Sequence, residues 1–199
     1  VEDILLALSN CAGSAEEKFS ILNQIYRRHG LSELALKIHD KALSLENLAA
    51  DSAENKCIST ELVSVIVPCF NAERTIKTAL ESLIAQSWKK LEIIVVDDCS
   101  EDNTVSVIES LSTKYPQIKL IKQPKNGGAY RARNTGLSVA KGSFITTHDA
   151  DDWSHPQKIQ LQMEFLYQNE AVMGVCTQWV RATPTLNFEH NWRLNPRLI

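Results

Sequence analysis

The chain has 199 residues, 44% of them hydrophobic and 23% charged, with a formal net charge of -3. These values fit a soluble globular protein with one large domain, a small appendage and enough chain to bury a core. They exclude a strongly basic nucleic-acid binder, because no block of Lys or Arg supplies the electrostatic footprint, and no apolar run reaches the roughly 18 residues of a membrane span.

The N-terminus lacks the basic-then-apolar layout of a signal peptide. It opens on Val rather than Met, as a trimmed chain would. Cys11, Cys57, Cys69, Cys99 and Cys176 are odd in number and show neither CxxC nor Cys/His metal spacing. Cys69 and Cys176 read as small buried residues, and a reducing cytoplasm is the expected setting.

Residues 1–50 read as helical throughout. Ile4, Leu5 and Leu8 make one apolar stripe, Phe19, Leu22, Ile25 and Tyr26 a second, and Leu34, Ala35, Ile38, Ala42 and Leu45 a third. Gly13 and Gly30 punctuate the stripes, with Ser14 and Ser32 placed as caps. Residues 35–46 resemble the second helix of a tetratricopeptide repeat; the alternative is a plain helical hairpin that packs on its neighbour or on a missing part of the protein, and a protein partner for the helices of residues 1–50 is a further expectation. Residues 51–61 lose the periodicity and read as a linker.

From residue 62 strands alternate with helices. The pattern predicts strands at Leu62–Val67, Leu91–Val96, Gln117–Ile121, Ser143–Thr147 and Val172–Thr177, the first stopped by Pro68. Helices are predicted at Ala72–Gln86, Asn103–Thr113, Ala129–Ala140 and Pro156–Asn169. Continuous apolar strands alternating with helices imply an α/β fold with a mostly parallel sheet covered on both faces. In such sheets ligands bind beyond the carboxyl ends of the strands, so those ends are where site residues are sought.

After the first strand, Phe70 can stack on a planar base and Asn71 can cap the next helix. After the second stand Asp97 and Asp98. Two buried acids need a use, either accepting the imide N–H of a uracil-like base or capping a helix, and Asp97 is the better candidate for the structural part. After the third, Gly127-Gly128 open a helix whose start suits an anion. Arg131 and Arg133 follow two apart and face different ways, so one of them reaches the site. After the fourth come Asp149, Asp151 and Asp152. Three carboxylates in four positions repel one another, which a hard divalent cation such as Mg²⁺ or Mn²⁺ would relieve; an acidic helix-capping turn is the structural alternative.

Taken in order, these segments resemble the family 2 glycosyltransferases of the GT-A fold. The resemblance runs through Val63-Ser-Val-Ile-Val-Pro-Cys-Phe-Asn-Ala-Glu73, Glu92-Ile-Ile-Val-Val-Asp-Asp-Cys-Ser-Glu-Asp-Asn-Thr104, Asn126-Gly-Gly-Ala-Tyr-Arg-Ala-Arg-Asn-Thr-Gly136 and Asp149-Ala-Asp-Asp-Trp153. It implies a GT-A domain from residue 62 onward that binds a nucleotide-diphosphate sugar, most often a UDP-sugar, and passes the sugar to a hydroxyl acceptor with inversion. By position Pro68, Phe70, Asn71 and Glu73 would line the nucleoside pocket and Asp98 would hold the base. Asn126 and Arg133 would lie near the base or the phosphates. Asp149-Ala-Asp151 is the family's DxD element, with Asp151 the principal ligand of Mn²⁺ or Mg²⁺ and Asp149 reaching the ribose or the metal. Asp152 and Trp153 would shape the floor under the sugar.

The general base of such enzymes normally follows the DxD by many tens of residues, whereas Ile199 lies 47 positions after Asp152. The base is therefore expected beyond Ile199, with Glu164 and Glu170 as surface charges and Glu189 a weak candidate in an aromatic tail of Trp179, Phe188, His190 and Trp192. The resemblance further implies a cytoplasmic protein, peripheral at the inner face of the membrane, working in surface-glycan synthesis. The competing reading is a non-catalytic nucleotide-sugar-binding or scaffold module. A phosphoryl-accepting receiver domain is disfavoured because its acids follow the first and third strands, and here they follow the second and fourth.

Overall fold

The computed structural model describes residues 2–50, 60–177 and 179–189. The chain divides into two compact units, one of Val1–Asn55 with Gln160–Ile199 and one of Lys56–Ile159. Residues 51–59 of the expected linker, with Cys57, lie outside the described residues, as do His190 and Trp192.

In the first unit α1 (Glu2–Ser9) and α2 (Ala15–Arg28) form as the periodicity predicts. Ser14 caps α2 by accepting the Glu17 N–H at 3.1 Å, and the Glu17 carboxylate reaches back to the Gly13 N–H at 2.7 Å. Both bonds satisfy donors that a helix start leaves orphaned. The third expected helix does not form, so Ser32 opens no helix. Residues 34–50 instead make β1 (Leu34–Leu36), a single 3₁₀ turn and β2 (Leu48–Ala50), antiparallel with Leu34 opposite Ala50. Two buried asparagines override the helical period. Asn23 takes both backbone groups of Leu34, at 2.7 and 3.0 Å, and the Asn47 side chain binds both backbone groups of Ile38 at 2.9 Å. Groups held this way are withdrawn from any helical ladder.

The second unit runs β3 (Val63–Cys69), α3 (Ile76–Ile84), β4 (Leu91–Asp97), α4 (Thr104–Lys114), β5 (Ile118–Lys122), α5 (Ala129–Val139) and β6 (Phe144–Thr147), and α6 (Lys158–Gln168) follows. The four strands form one parallel sheet in the order β5-β4-β3-β6. Every residue of β3 is buried, which is why it reads as a continuous apolar run. α3 packs on α4, while α5 lies across β3 and β4. Ala132 of α5 joins Ile94 and Val96 in a core cluster. Gly136 allows the close approach: a Cβ there would stand 2.5 Å from Cγ2 of Ile66.

Two expectations about strands change. Pro68 does not stop β3, which continues to Cys69 with Pro68 opposite Val96 of β4. On its other side β3 pairs with β6 only as far as Ile66, opposite Thr147, so beyond that point the strand has one neighbour and a proline fits. The strand expected at Val172–Thr177 does not form: the segment pairs with no strand among the described residues, and Val172 and Met173 are exposed. Cys176 is exposed too, contrary to its expected burial. Among the described residues nothing covers an apolar run there, and an unpaired strand does not persist alone.

The strand order reverses direction between β3 and β6, because β4 and β5 build outward on one side and β6 returns on the other. In sheets of this kind ligands bind at such a reversal, here the carboxyl ends of β3 and β6. A buried network under the sheet fixes where β6 begins. The Glu92 carboxylate accepts from Ser64 Oγ at 2.6 Å, the Lys141 N–H at 2.5 Å and Lys119 Nζ at 2.5 Å, and the Gly142 N–H donates to Ser64 Oγ at 2.8 Å.

Candidate functional site

The loops after β3 and β4 are clamped to each other. The Asn71 N–H donates to Ser100 Oγ at 2.9 Å, and Asn71 Oδ1 accepts the Glu101 N–H at 2.8 Å. Glu73 donates its backbone N–H to Asp102 at 3.1 Å, while its carboxylate accepts the N–H and the Nδ2 of Asn103, both at 3.0 Å. The Ala72 N–H donates to Thr104 Oγ1 at 2.7 Å. Asn71 is therefore not the cap of α3, which starts five residues later. It sits at φ 48°, a left-handed conformation that Asn tolerates better than most residues. Phe70, beside it, leaves half its surface exposed.

Asp97 and Asp98 are both buried but do different things. The Asp97 carboxylate accepts the Ser100 N–H at 3.2 Å and so shapes the loop rather than capping the next helix as expected, since the cap position of α4 is Asn103. Asp98 accepts the Gly127 N–H at 2.8 Å on one oxygen and the Gly128 N–H at 2.6 Å on the other. The start of α5 thus does hold an anion, and it is the chain's own. Gly128 sits at φ 83°, a conformation that glycine adopts without strain and that turns its N–H inward. Asn126 and Tyr130, to either side, are exposed.

At the end of β6 the His148 N–H pairs with the Ile66 carbonyl at 3.0 Å, after which the chain turns away from β3. His148 is buried, and burial, with the nearby charge of Lys158, pushes its pKa down to about 4, so the ring is neutral near pH 7. Its Nδ1 lies 2.9 Å from the Asp149 carbonyl, and its Nε2 is buried with no hydrogen-bond partner among the described residues. Arg133 of α5 spans to the acidic turn, its Nη2 donating to Asp149 Oδ1 at 2.7 Å. Asp151 is exposed and forms no hydrogen bond or ion pair with a described residue. Desolvation raises the Asp152 pKa, and the charges of Asp149 and Asp151 push it further up. The mutual repulsion read from the sequence is therefore present in the folded turn.

Of the expected site residues, the fold brings Arg133 and Asp149 into contact, and it joins Asn71 and Glu73 to the loop after β4 rather than leaving them free. It also reveals residues that the sequence did not single out. Gln86, fully buried, donates to the His155 carbonyl at 2.8 Å and accepts the Ile159 N–H at 3.1 Å, while Ser82 Oγ accepts the Ser154 N–H at 3.2 Å. Together they anchor the segment that leaves the acidic turn. Neither a Ser inside α3 nor a Gln two residues past its end stands out in a stretch that also carries Lys77, Thr78 and Glu81. Among the described residues no group of three His, Cys, Asp or Glu side chains is placed to hold a metal ion by itself.

The parallel sheet with its order reversal, and an acidic turn at that reversal with an arginine latched to it, define an α/β fold with its candidate site at the strand ends. Residues 64–198 match the model of the glycosyl transferase family 2. The chain belongs to this family. It is 40% identical over 106 residues to an Escherichia coli protein named UDP-Glc:alpha-D-GlcNAc-diphosphoundecaprenol beta-1,3-glucosyltransferase WfaP, covering 53% of this chain and 41% of that one. The crystal structure of S. aureus TarS 1-349 in complex with UDP-GlcNAc matches with a TM-score of 0.52 and 33% identity, over 55% of this chain and 32% of that one. The mannosyltransferase PcManGT from Pyrobaculum calidifontis, in complex with GDP-Man and Mn2+, shares the fold at a TM-score of 0.51 and 22% identity, over 83% of this chain and 44% of that one. The chain spans between about a third and a half of the length of these relatives.

Proposed function

We propose that residues 63–153 are the donor side of an inverting glycosyltransferase that takes a nucleotide-diphosphate sugar, by preference a UDP-sugar, and passes the sugar to a hydroxyl of a glycan or similar acceptor in surface-glycan synthesis. The observation that carries this reading is the acidic turn itself. Asp149 is paired with Arg133 at 2.7 Å while Asp151, two residues on, stands exposed with no hydrogen bond or ion pair to a described residue. UDP-sugars named for two relatives support the choice of nucleotide.

In this reading Phe70 stacks on the base above Pro68, and Asp98 accepts the imide N–H. Each carboxylate oxygen keeps a second lone pair after binding the Gly127 and Gly128 amides. Asn71 and Glu73 act from behind by fixing the two loops. Asn126 and Arg133 face the diphosphate, Asp149 the ribose, and Asp152 and Trp153 the sugar.

The donor set suits Mn²⁺ or Mg²⁺: hard oxygens, too few for a closed cage, with room for phosphate oxygens to complete the shell. Asp151 would hold the ion, with Asp149 beside it. When bound, the ion neutralises charge growing on the departing nucleoside diphosphate. The test is calorimetry of UDP and GDP with and without Mn²⁺. UDP is expected to bind in a metal-dependent way, with the dependence lost in Asp151→Ala. Tight nucleotide binding that ignores EDTA would overturn the assignment of Asp149 and Asp151.

A further inference from the structure

Tyr130, in the first turn of α5, is 83% exposed, and neither the core nor any of the roles above uses it. It stands three residues before Arg133, so the two side chains share a helix face, while Ala132 and Gly136 face the sheet. The Arg133 guanidinium carbon lies 5.6 Å from the centroid of the Tyr130 ring, within the range of a cation–π contact. The same guanidinium donates to Asp149 at 2.7 Å. Ring, guanidinium and carboxylate thus form one chain of contacts from the surface of α5 to the acidic turn. The planar guanidinium can offer its face to the ring and its edge to the carboxylate at once, which lysine could not do.

We propose that Tyr130 is a positioning residue of the donor site: its ring holds the Arg133 guanidinium in the orientation that grips Asp149. A long side chain left free samples many rotamers, and contact with the ring removes most of them before a ligand arrives. Asp149 is then presented with one oxygen engaged and the other available. This inference rests on the donor-site reading.

The test is a double-mutant cycle on the full chain, measured as the affinity for UDP with Mn²⁺ by calorimetry and checked by thermal melting. A cation–π contact at an exposed site corresponds to a loss of about two- to fivefold for Tyr130→Ala. Tyr130→Phe keeps the ring and should bind as the unaltered chain does, and because the side chain lies outside the core both variants should stay folded at the temperature of the binding measurement. In an Arg133→Ala background, Tyr130→Ala should have no further effect. An equal loss with and without Arg133 would show that the ring touches the nucleotide itself and would overturn the positioning role. Unchanged affinity in Tyr130→Ala would overturn it as well. If the unaltered chain bound neither UDP nor GDP with the metal, the donor-site reading would fail and this inference with it.

Discussion

Glu92 shows how one buried carboxylate sets the stage for a site at the opposite end of the same strands. It sits early in β4, and through Ser64, Lys119 and the Lys141 N–H it ties the start of β3 to β5 and to the entry of β6. Burial alone would raise its pKa. The hydrogen bonds from Lys119, Ser64 and the Lys141 backbone, with the charge of Lys119, outweigh burial and bring it down to about 2. A folded-state pKa below the ordinary 4.5 means that the carboxylate stabilises the fold above that value and loses its contribution as the pH falls toward 2. The difference corresponds to about 3 kcal/mol. Denaturant titrations should therefore show stability falling between about pH 5 and about pH 2, and Glu92→Gln should be less stable near neutrality and flatten that fall. A mutant that keeps the full acid dependence would assign it to other carboxylates.

At the scale of elements, α5 carries the site because it lies close against the sheet. Gly136→Ala would gain about 1 kcal/mol in helix propensity. Against that, the new methyl would meet Ile66 Cγ2 at 2.5 Å and Cγ1 at 3.3 Å, in a β-branched side chain buried in the central strand. Overpacking of this kind costs about 1–3 kcal/mol, so the variant should have a lower urea midpoint with an unchanged slope. Displacing α5 would also loosen the Arg133 grip on Asp149, so UDP affinity should fall with stability. The sheet and α5 were legible in the sequence because continuous apolar runs and a Gly-Gly helix start are local signals. So was the acidic turn, whose charge density has no easy structural use. Residues 34–50 were not legible. Leu34, Ile38 and Leu45 fall on a helical period, but bonds from Asn23 and Asn47 across the fold decide the conformation, and periodicity carries no trace of them. The same holds at the site. Asn71, Glu73 and Asp98 could be picked out by type and position, but their partners lie about 30 residues further along the chain, so their part in holding loops together emerges only in three dimensions.

For the whole molecule, the position of every proposed donor residue within Lys56–Ile159 separates the binding chemistry from the other unit. That other unit joins segments far apart in sequence. Lys18 of α2 is buried, and its Nζ donates to the Leu186 carbonyl and to Asn187 Oδ1, both at 2.9 Å. Asn10 meanwhile binds both backbone groups of Phe188 at 2.8 Å. Burial lowers the Lys18 pKa, and the two acceptors compensate the cost of a buried ammonium. Lys18→Met would keep most of the volume but leave the Leu186 carbonyl unpaired, a loss of about 1.5–3 kcal/mol for bonds to a charged donor. Hydrogen exchange should then quicken at the amides of Thr183, Leu186, Asn187 and Phe188 and along α2. The amides of β3, β4 and β5 should keep their protection, and the affinity for UDP with Mn²⁺ should stay as it was. Faster exchange throughout β3–β5 would mean that the two units unfold together, and that the residues around Lys18 support the donor site as well as their own unit.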